Sequence, residues 1–277
     1  DRAAVMALCE GQDLVVHSGA LSSPWGRYED FYRANVIGTE SVLAGCQAQG
    51  GARLVHVSTP SLYFDGREAW NLHEDSPLPR PRTSYIATKR IAEERVGEAV
   101  SEGLEAIILR PRGLYGPGDP AIFPRIVAAL EAGRLPILGR GDNLADITYI
   151  DNVVDALLCA ARAGPEAVGK IYNITNGDPV PLWPLVDRLA DELRLARPRW
   201  RLPVPVALVV AWLLEVLHST VVRGGEPRMT RYSVAVLART ITLDIGAARR
   251  ELGYAPRVTT LEGFERYLTW LKSQRAG

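Results

Sequence analysis

Three short apolar runs, Leu14-Val15-Val16, Leu54-Val55-His56-Val57 and Ala106-Ile107-Ile108-Leu109, are separated by stretches long enough to form helices. Continuous runs of β-branched and aliphatic residues suit strands covered on both faces, whereas a half-exposed strand alternates apolar and polar side chains. Between them, Glu29 to Gln49 and Ser84 to Ser101 are alanine-rich with helical spacing, and Arg2 to Glu10 reads as a further helix ahead of the first run. This rhythm predicts a parallel sheet with right-handed crossovers.

Past Pro111 the texture changes, because Pro117, Pro120, Pro124 and Pro136 cut the chain into short pieces before a helix over Asp151 to Arg162. Ile171 to Thr175 reads as another buried strand and Leu182 to Leu195 as an amphipathic helix. The fold class expected is α/β. A Rossmann-type parallel sheet with helices on both faces occupies 1–115, and a smaller mixed α/β substrate domain occupies 116–277, from which 171–175 returns to the sheet.

With 277 residues, 47% of them hydrophobic, the chain can bury a large core. Thirty-two basic and thirty-two acidic residues leave no net field to attract nucleic acid or an anionic surface, so a small-molecule substrate is expected and no nucleic acid. Cys9, Cys46 and Cys159 lack C-x-x-C spacing and His17, His56, His73 and His218 lack metal-ligand spacing, so reduced core thiols and no metal site are expected. No secretory signal opens the chain, which points to a cytoplasmic protein. The most hydrophobic part, within 203–218, is shorter than the roughly 20 residues of a bilayer span and is interrupted by Glu215 and His218. It reads as a buried or substrate-covering helix, with peripheral membrane contact as the alternative and no transmembrane span.

The segment Ser84-Tyr85-Ile86-Ala87-Thr88-Lys89 brings a phenol and an ammonium four residues apart, on one face of a helix. A fixed cation beside a phenol favours phenolate and makes proton transfer accessible near neutral pH. Only Lys89, Lys170 and Lys272 are lysines in this arginine-rich chain with ten tyrosines. A chance Y-x-x-x-K is therefore expected in only about one such chain in ten. Upstream, Val57-Ser58-Thr59-Pro60-Ser61 ends a strand in hydroxyls, at the edge where open α/β sheets bind ligands.

Strand-end hydroxyls, then tyrosine, then lysine, in this order and separation, resemble the extended short-chain dehydrogenases. Other segments agree: Val16-His17-Ser18-Gly19-Ala20 resembles the cofactor-lining turn, and Asn35-Val36-Ile37-Gly38-Thr39 resembles the family's N-x-x-G-T helix. Leu109-Arg110-Pro111-Arg112-Gly113-Leu114-Tyr115-Gly116 resembles the loop beside the nicotinamide, and Asp146-Ile147-Thr148-Tyr149-Ile150-Asp151-Asn152 the segment opening the substrate half. The stretch Val57-Ser58-Thr59-Pro60-Ser61-Leu62-Tyr63-Phe64-Asp65-Gly66 is similar to the 3β-hydroxysteroid dehydrogenase-like branch, with Phe64 where glycine is usual.

The resemblance implies an NAD- or NADP-dependent enzyme interconverting a ketone and a secondary alcohol on an apolar substrate of 3-oxo or 3β-hydroxy type, such as a 2-alkyl-3-oxoalkanoate or a sterol. It implies Thr59, Tyr85 and Lys89 as catalytic residues. It assigns His17, Gly19, Ala20, Ser58, Tyr85, Lys89, Pro111, Arg112 and Leu114 to the cofactor, and it implies a homodimer through the helices containing Asn35 to Gln49 and Ser84 to Ser101.

One part of the pattern has no counterpart. The family opens with a strand, a G-x-G-x-x-G turn and a helix that receives the pyrophosphate, but only one helix-like stretch precedes Leu14. The Rossmann portion is therefore expected to be N-terminally truncated, and the residue that selects NAD or NADP is not legible. Gly116-Pro117-Gly118-Asp119-Pro120-Ala121 matches a glycine-rich pattern, but two prolines remove amide donors that a phosphate cradle uses. Two other readings stay open: a nucleotide-sugar epimerase or dehydratase using Arg134, Arg140 or Arg231 on a diphosphate, and a non-catalytic binding protein on a degenerate dehydrogenase fold.

Overall fold

Four strands, β1 (Leu14–His17), β2 (Arg53–Val57), β3 (Ala106–Pro111) and β4 (Ile171–Ile174), pair in parallel in the order β1-β2-β3-β4. The computed structural model describes residues 1–48, 50, 52–222 and 225–276. All six residues of β3 are buried, as a continuous apolar run requires of a central strand. β1 departs from the expected burial: Leu14 is 37% and Val16 43% exposed. It is the sheet's edge, paired on one side only among the described residues.

On one face of the sheet lie α1 (Gly38–Ala48) and α2 (Ser84–Ser101), whose Val42, Leu43, Cys46, Val96 and Ala99 pack against Leu54 and Ile108. The single helix expected over 29–49 is interrupted. A four-residue turn, Tyr28–Phe31, passes into a π-helix, Tyr32–Ile37, before α1 begins; Gln49 lies outside the described residues. On the other face, α3 (Ile150–Arg162) brings Ala156 and Ala160 onto Val55, Ile107 and Leu109, joined by Ala248 of the short helix Gly246–Glu251. More of the second half than 171–175 therefore packs on the sheet, because the face opposite α1 and α2 needs a helical cover. Cys9 and Cys46 are buried free thiols and Cys159 a partly buried one.

A second core gathers Tyr115, Phe123, Trp183, Leu189, Phe264 and Tyr267 beneath the helices Phe123–Glu131, Leu182–Glu192 and Thr260–Ala276. Against it leans α4 (Val204–Leu217), continued by a π-helical turn, His218–Val222, and followed by α5 (Arg231–Ala238). The segment expected to be a buried or substrate-covering helix is largely exposed: α4 fully buries only Ala207, Ala211 and Glu215, rests Val204 and Leu208 on the core, and leaves Val206, Val209, Val210, Leu213, Val216 and Leu217 outside. Small residues on the inner side allow close packing while leaving the bulk of the apolar surface outside.

Candidate active site

Because β1, β2 and β3 run parallel and in register, with His17 opposite His56 and Val57 opposite Leu109, their carboxyl ends deliver the expected residues to one edge of the sheet. His17 ends β1, and Gly19 and Ala20 lie in the exposed turn beyond it. The β2 ladder continues one step further, Ser58 N donating to Leu109 O at 2.7 Å, which places Ser58 and Thr59 just outside the sheet. Pro111 closes β3. Arg112 and Leu114 follow in the loop, where Gly113 has φ +54° and a Cβ would stand 2.8 Å from Ile147 Cγ2. Only glycine fits that approach.

The N-terminus of α2 supplies the rest. Thr83 caps it, its hydroxyl accepting from Ile86 N at 3.2 Å, so Tyr85 stands in the first turn and Lys89 one turn further along. Lys89 Nζ donates to Val57 O at 2.8 Å, pinning the helix to the end of β2. The Tyr85 phenol lies beside Thr59 and Ser22, whose side chains offset part of the effect of its burial. Thr59, Tyr85 and Lys89 are thus brought together around the end of one strand. The helix is held down by a buried ion pair, Arg110 of β3 donating from Nε and Nη2 to Glu93 at 2.9 and 2.6 Å. Tyr63 joins it, accepting from Arg110 Nη1 and donating to Asn173 Oδ1 at 3.0 Å.

A second anchor comes from the π-helical turn. Asn35 Oδ1 accepts from Leu21 N at 2.7 Å, while Nδ2 donates to Leu21 O and to Thr88 Oγ1, each at 3.1 Å. One amide thereby fixes the turn after β1 to the helix that carries Tyr85. Thr39 Oγ1 lies 3.0 Å from His17 Nε2, extending the network to β1.

Burial dominates the electrostatics. It pushes the Tyr85 phenol above its usual value, opposed in part by the neighbouring Thr59 and Ser22 side chains. The expected lowering by Lys89 is not what the geometry produces, because the ammonium points to the Val57 carbonyl. Burial pulls Lys89 down to about 8, with Glu93 opposing. Burial, then Lys89, pulls His17 down to about 4 and His56 well below its usual value, so both imidazoles are neutral at pH 7. Unfolded histidine titrates near 6.5. Between 6.5 and about 4 the unfolded chain binds protons that the native state refuses, so these histidines make stability fall with acidification across that window. Thermal melts from pH 7 to 4.5 should show this decline, and His56→Asn should flatten it; an unchanged slope would remove His56 from the account.

Several polar atoms here lack partners: Ser58 Oγ and both ring nitrogens of His56, and Arg112 Nε in the loop beyond. Lys89 uses one of its three ammonium protons among the described hydrogen bonds. This donor set fits the ribose hydroxyls and nicotinamide of a dinucleotide. Among the described residues no strand, glycine-rich loop and helix succession is present for the pyrophosphate. Among the described residues no group of His, Cys, Asp or Glu could hold a metal ion.

Sequence reasoning missed two participants. Ser22, three residues after Gly19, meets the Tyr85 phenol. Tyr232 of α5 places its hydroxyl 2.8 Å from Ser61 Oγ, which accepts from Thr59 Oγ1 at 3.0 Å, so hydroxyls run from Tyr85 through Thr59 and Ser61 to the second half of the chain. Ser22 had a local signal, a serine following the cofactor-like turn; Tyr232 had none. Phe64 packs edge to face on Tyr232 with centroids 4.9 Å apart. With Leu62, Ile86, Ala235 and Ile241, and Leu78 beside them, it makes an apolar wall next to Tyr85.

Residues 1–204 match the model of the 3-beta hydroxysteroid dehydrogenase/isomerase family. A 2-alkyl-3-oxoalkanoate reductase of Stenotrophomonas maltophilia (strain K279a) is 37% identical, over 96% of this chain and 82% of that protein. A 3beta-hydroxysteroid-dehydrogenase/decarboxylase isoform 2 of Arabidopsis thaliana is 34% identical over the whole chain, which spans about half (51%) of the plant protein. Among solved structures, a dTDP-glucose 4,6-dehydratase from Streptomyces venezuelae with NAD bound superposes with a TM-score of 0.76 at 25% identity, covering 100% of this chain and 78% of that one. A UDP-glucuronic acid 4-epimerase from Bacillus cereus in complex with NAD gives 0.74 at 21% identity, covering 99% and 79%, a likeness of fold alone.

Proposed function

This chain belongs to the 3-beta hydroxysteroid dehydrogenase/isomerase family, and from that premise we propose that it is an NAD- or NADP-dependent oxidoreductase interconverting a ketone and a secondary alcohol on a large apolar substrate of the 3-oxo or 3β-hydroxy type. The observation that carries this reading is the placement of the Tyr85 phenol beside Thr59 at the sheet's ligand edge, one helical turn from Lys89 and walled by Leu62, Phe64, Ile86 and Tyr232. A hydroxyl pair set into apolar surroundings suits a carbonyl with hydrocarbon substituents. The names of the reductase and sterol-type relatives support the same substrate class, 2-alkyl-3-oxoalkanoates foremost.

Each residue has a distinct task. With the dinucleotide bound, the nicotinamide supplies or accepts the hydride. Tyr85 Oη delivers the proton to the substrate oxygen in reduction and takes it back in oxidation. Thr59 Oγ1 hydrogen-bonds that oxygen where negative charge develops. Lys89 would direct its remaining protons to the ribose hydroxyls, and Ser58, Pro111, Arg112, Leu114, His17, Gly19 and Ala20, at the carboxyl edge of the sheet, would hold the nicotinamide half of the dinucleotide.

Calorimetric titration with NADH and NADPH tests the assignment. Binding should weaken about 10- to 100-fold in Lys89→Ala, the usual worth of a charge-assisted hydrogen bond. It should also weaken as pH rises through about 8, where the ammonium loses its proton. Equal affinity of the variant, or no pH dependence, would place the cofactor elsewhere.

Three further points complete the reading. The apolar Tyr28 and Ile37, 43% and 45% exposed beside α1, support a homodimer through the faces of α1 and α2, which sedimentation velocity measures. The free thiols fit a reducing compartment, hence the cytoplasm. The exposed Val206, Val209, Trp212 and Leu213 support peripheral membrane contact through 203–218.

A further inference from the structure

Arg112 is the first residue past β3, at the carboxyl edge where an open α/β sheet receives its ligand. Its backbone still extends the ladder, Arg112 N donating to Ile174 O at 3.0 Å, so the alternation of side chains along the strand carries through it. Ile108 packs beneath α1 and α2, and Arg110 pairs with Glu93 of α2. Arg112 is next in that series and lies on the same side of the sheet, the side that bears Tyr85.

The two arginines meet opposite circumstances. The Arg110 guanidinium is engaged by Glu93 and Tyr63. That of Arg112 makes no hydrogen bond among the described residues, and its Nε is sealed from water without a partner. Asp146 is not within ion-pair distance; it commits Oδ2 to Leu243 N at 2.9 Å, and its Oδ1 is also unpartnered. Burial opposes the guanidinium's charge, and Asp146 and Tyr232 support it. A cation held in this way is costly unless an anion completes it.

The surroundings identify that anion. The Tyr232 hydroxyl lies 2.8 Å from Ser61 Oγ, itself 3.0 Å from Thr59 Oγ1, and the Tyr232 phenol acts electrostatically on both Tyr85 and Arg112. Arg112 and Tyr232 therefore flank the place where Tyr85 and Thr59 would hold a ketone oxygen. An oxidised nicotinamide is a cation and a reduced one is neutral, so the reacting end of the cofactor brings no countercharge. Leu62, Phe64, Ile86, Ala235 and Ile241 bring none either. The substrate must supply it.

We propose that Arg112 is a specificity-determining residue, its planar fork pairing with the carboxylate of a 3-oxo or 3-hydroxy acid while the Tyr232 hydroxyl donates to the same group. Tyr232 can accept from Ser61 Oγ and still direct its own proton to the acid. The proposal rests on the reaction assigned above: the carboxyl carbon is two bonds from the carbon that Tyr85 and Thr59 address, and the hydrocarbon parts fall to the apolar wall. A neutral ketone, ester or sterol of similar shape would leave the guanidinium unpaired, which makes the site selective for free acids.

The test compares a 2-alkyl-3-hydroxy acid with the secondary alcohol that lacks only its carboxyl group, each oxidised with NAD or NADP; hydroxy acids are used because 3-oxo acids lose carbon dioxide in water. The parent should prefer the acid by about 10- to 100-fold in kcat/KM, the usual worth of a charge-assisted hydrogen bond. Arg112→Met should bring the acid-to-alcohol ratio to within about threefold of one, Arg112→Lys should restore part of it, and Tyr232→Phe should lower it by about threefold to tenfold. Taking the ratio cancels any loss through the nicotinamide contact. Calorimetric titration of both compounds with NADH or NADPH present, which cannot reduce an alcohol, reads the same ratio without turnover. A parent ratio near one, no binding of either compound, or a ratio unchanged in Arg112→Met would overturn the proposal. In the last case Arg112 would serve only to neutralise Asp146, a role that lowers Tm and treats both compounds alike. Acid-selective binding that Arg112→Met abolishes, with neither compound oxidised, would uphold the carboxylate site and reject instead the reaction assigned to Tyr85.

Discussion

Tyr85→Phe should lower kcat by about 10²- to 10⁴-fold, the range for removing a positioned general acid, while KM and the cofactor dissociation constant change little. The substitution removes one oxygen, and with it the polar contact beside Thr59 and Ser22. The ring keeps its place against Phe31, 6.3 Å away between centroids, and beside the wall formed by Leu62, Phe64 and Ile86. Steady-state reduction of a 2-alkyl-3-oxoalkanoate, with Tm measured alongside, separates a chemical role from a structural one. A kcat within threefold of the parent's would mean that Tyr85 is not the proton donor.

Glu93→Ala should cost about 3–5 kcal/mol of stability, the usual price of leaving a buried charge without its partner. Arg110 is 2% exposed, and its guanidinium would retain only the Tyr63 hydroxyl. Urea unfolding measures the loss. Replacing both residues, Glu93→Met with Arg110→Met, should recover much of it, since the pair must also be desolvated on folding. If the double replacement were no better than Glu93→Ala, the cost would lie in packing rather than in the unpaired charge. The pair also fastens α2 to β3, so Glu93→Ala should weaken cofactor binding by loosening the Lys89 contact with Val57.

The residues that local spacing brings together were readable from the chain. Tyr85 and Lys89 are one helical turn apart, Ser58 and Thr59 end a strand, and the parallel sheet follows from the alternation of apolar runs and helices. What depends on distant neighbours was not readable. Burial of Leu14 and Val16 depends on a strand beside β1, which no periodicity announces. A helix apolar all round looks the same whether it is inside or outside, so the exposure of α4 needed the fold. Tyr232 approaches Ser61 across 171 positions of sequence. The effect of Lys89 on Tyr85 was misjudged for a related reason: spacing places the two on one face but leaves open the carbonyl the ammonium chooses.

The π-helical turn at Tyr32–Ile37 carries one residue more than a regular helix would use. Shortening the segment by one would restore ordinary hydrogen bonding and rotate everything upstream by about 100° relative to α1. Asn35 would then swing off Leu21 and Thr88, and the turn after β1 would lose its tether to α2. Phe31 and Asn35 are each 1% exposed, so the same rotation would pull buried side chains from their places and lower Tm together with turnover. Fold and site share this joint: the chain cannot regularise the turn and keep either.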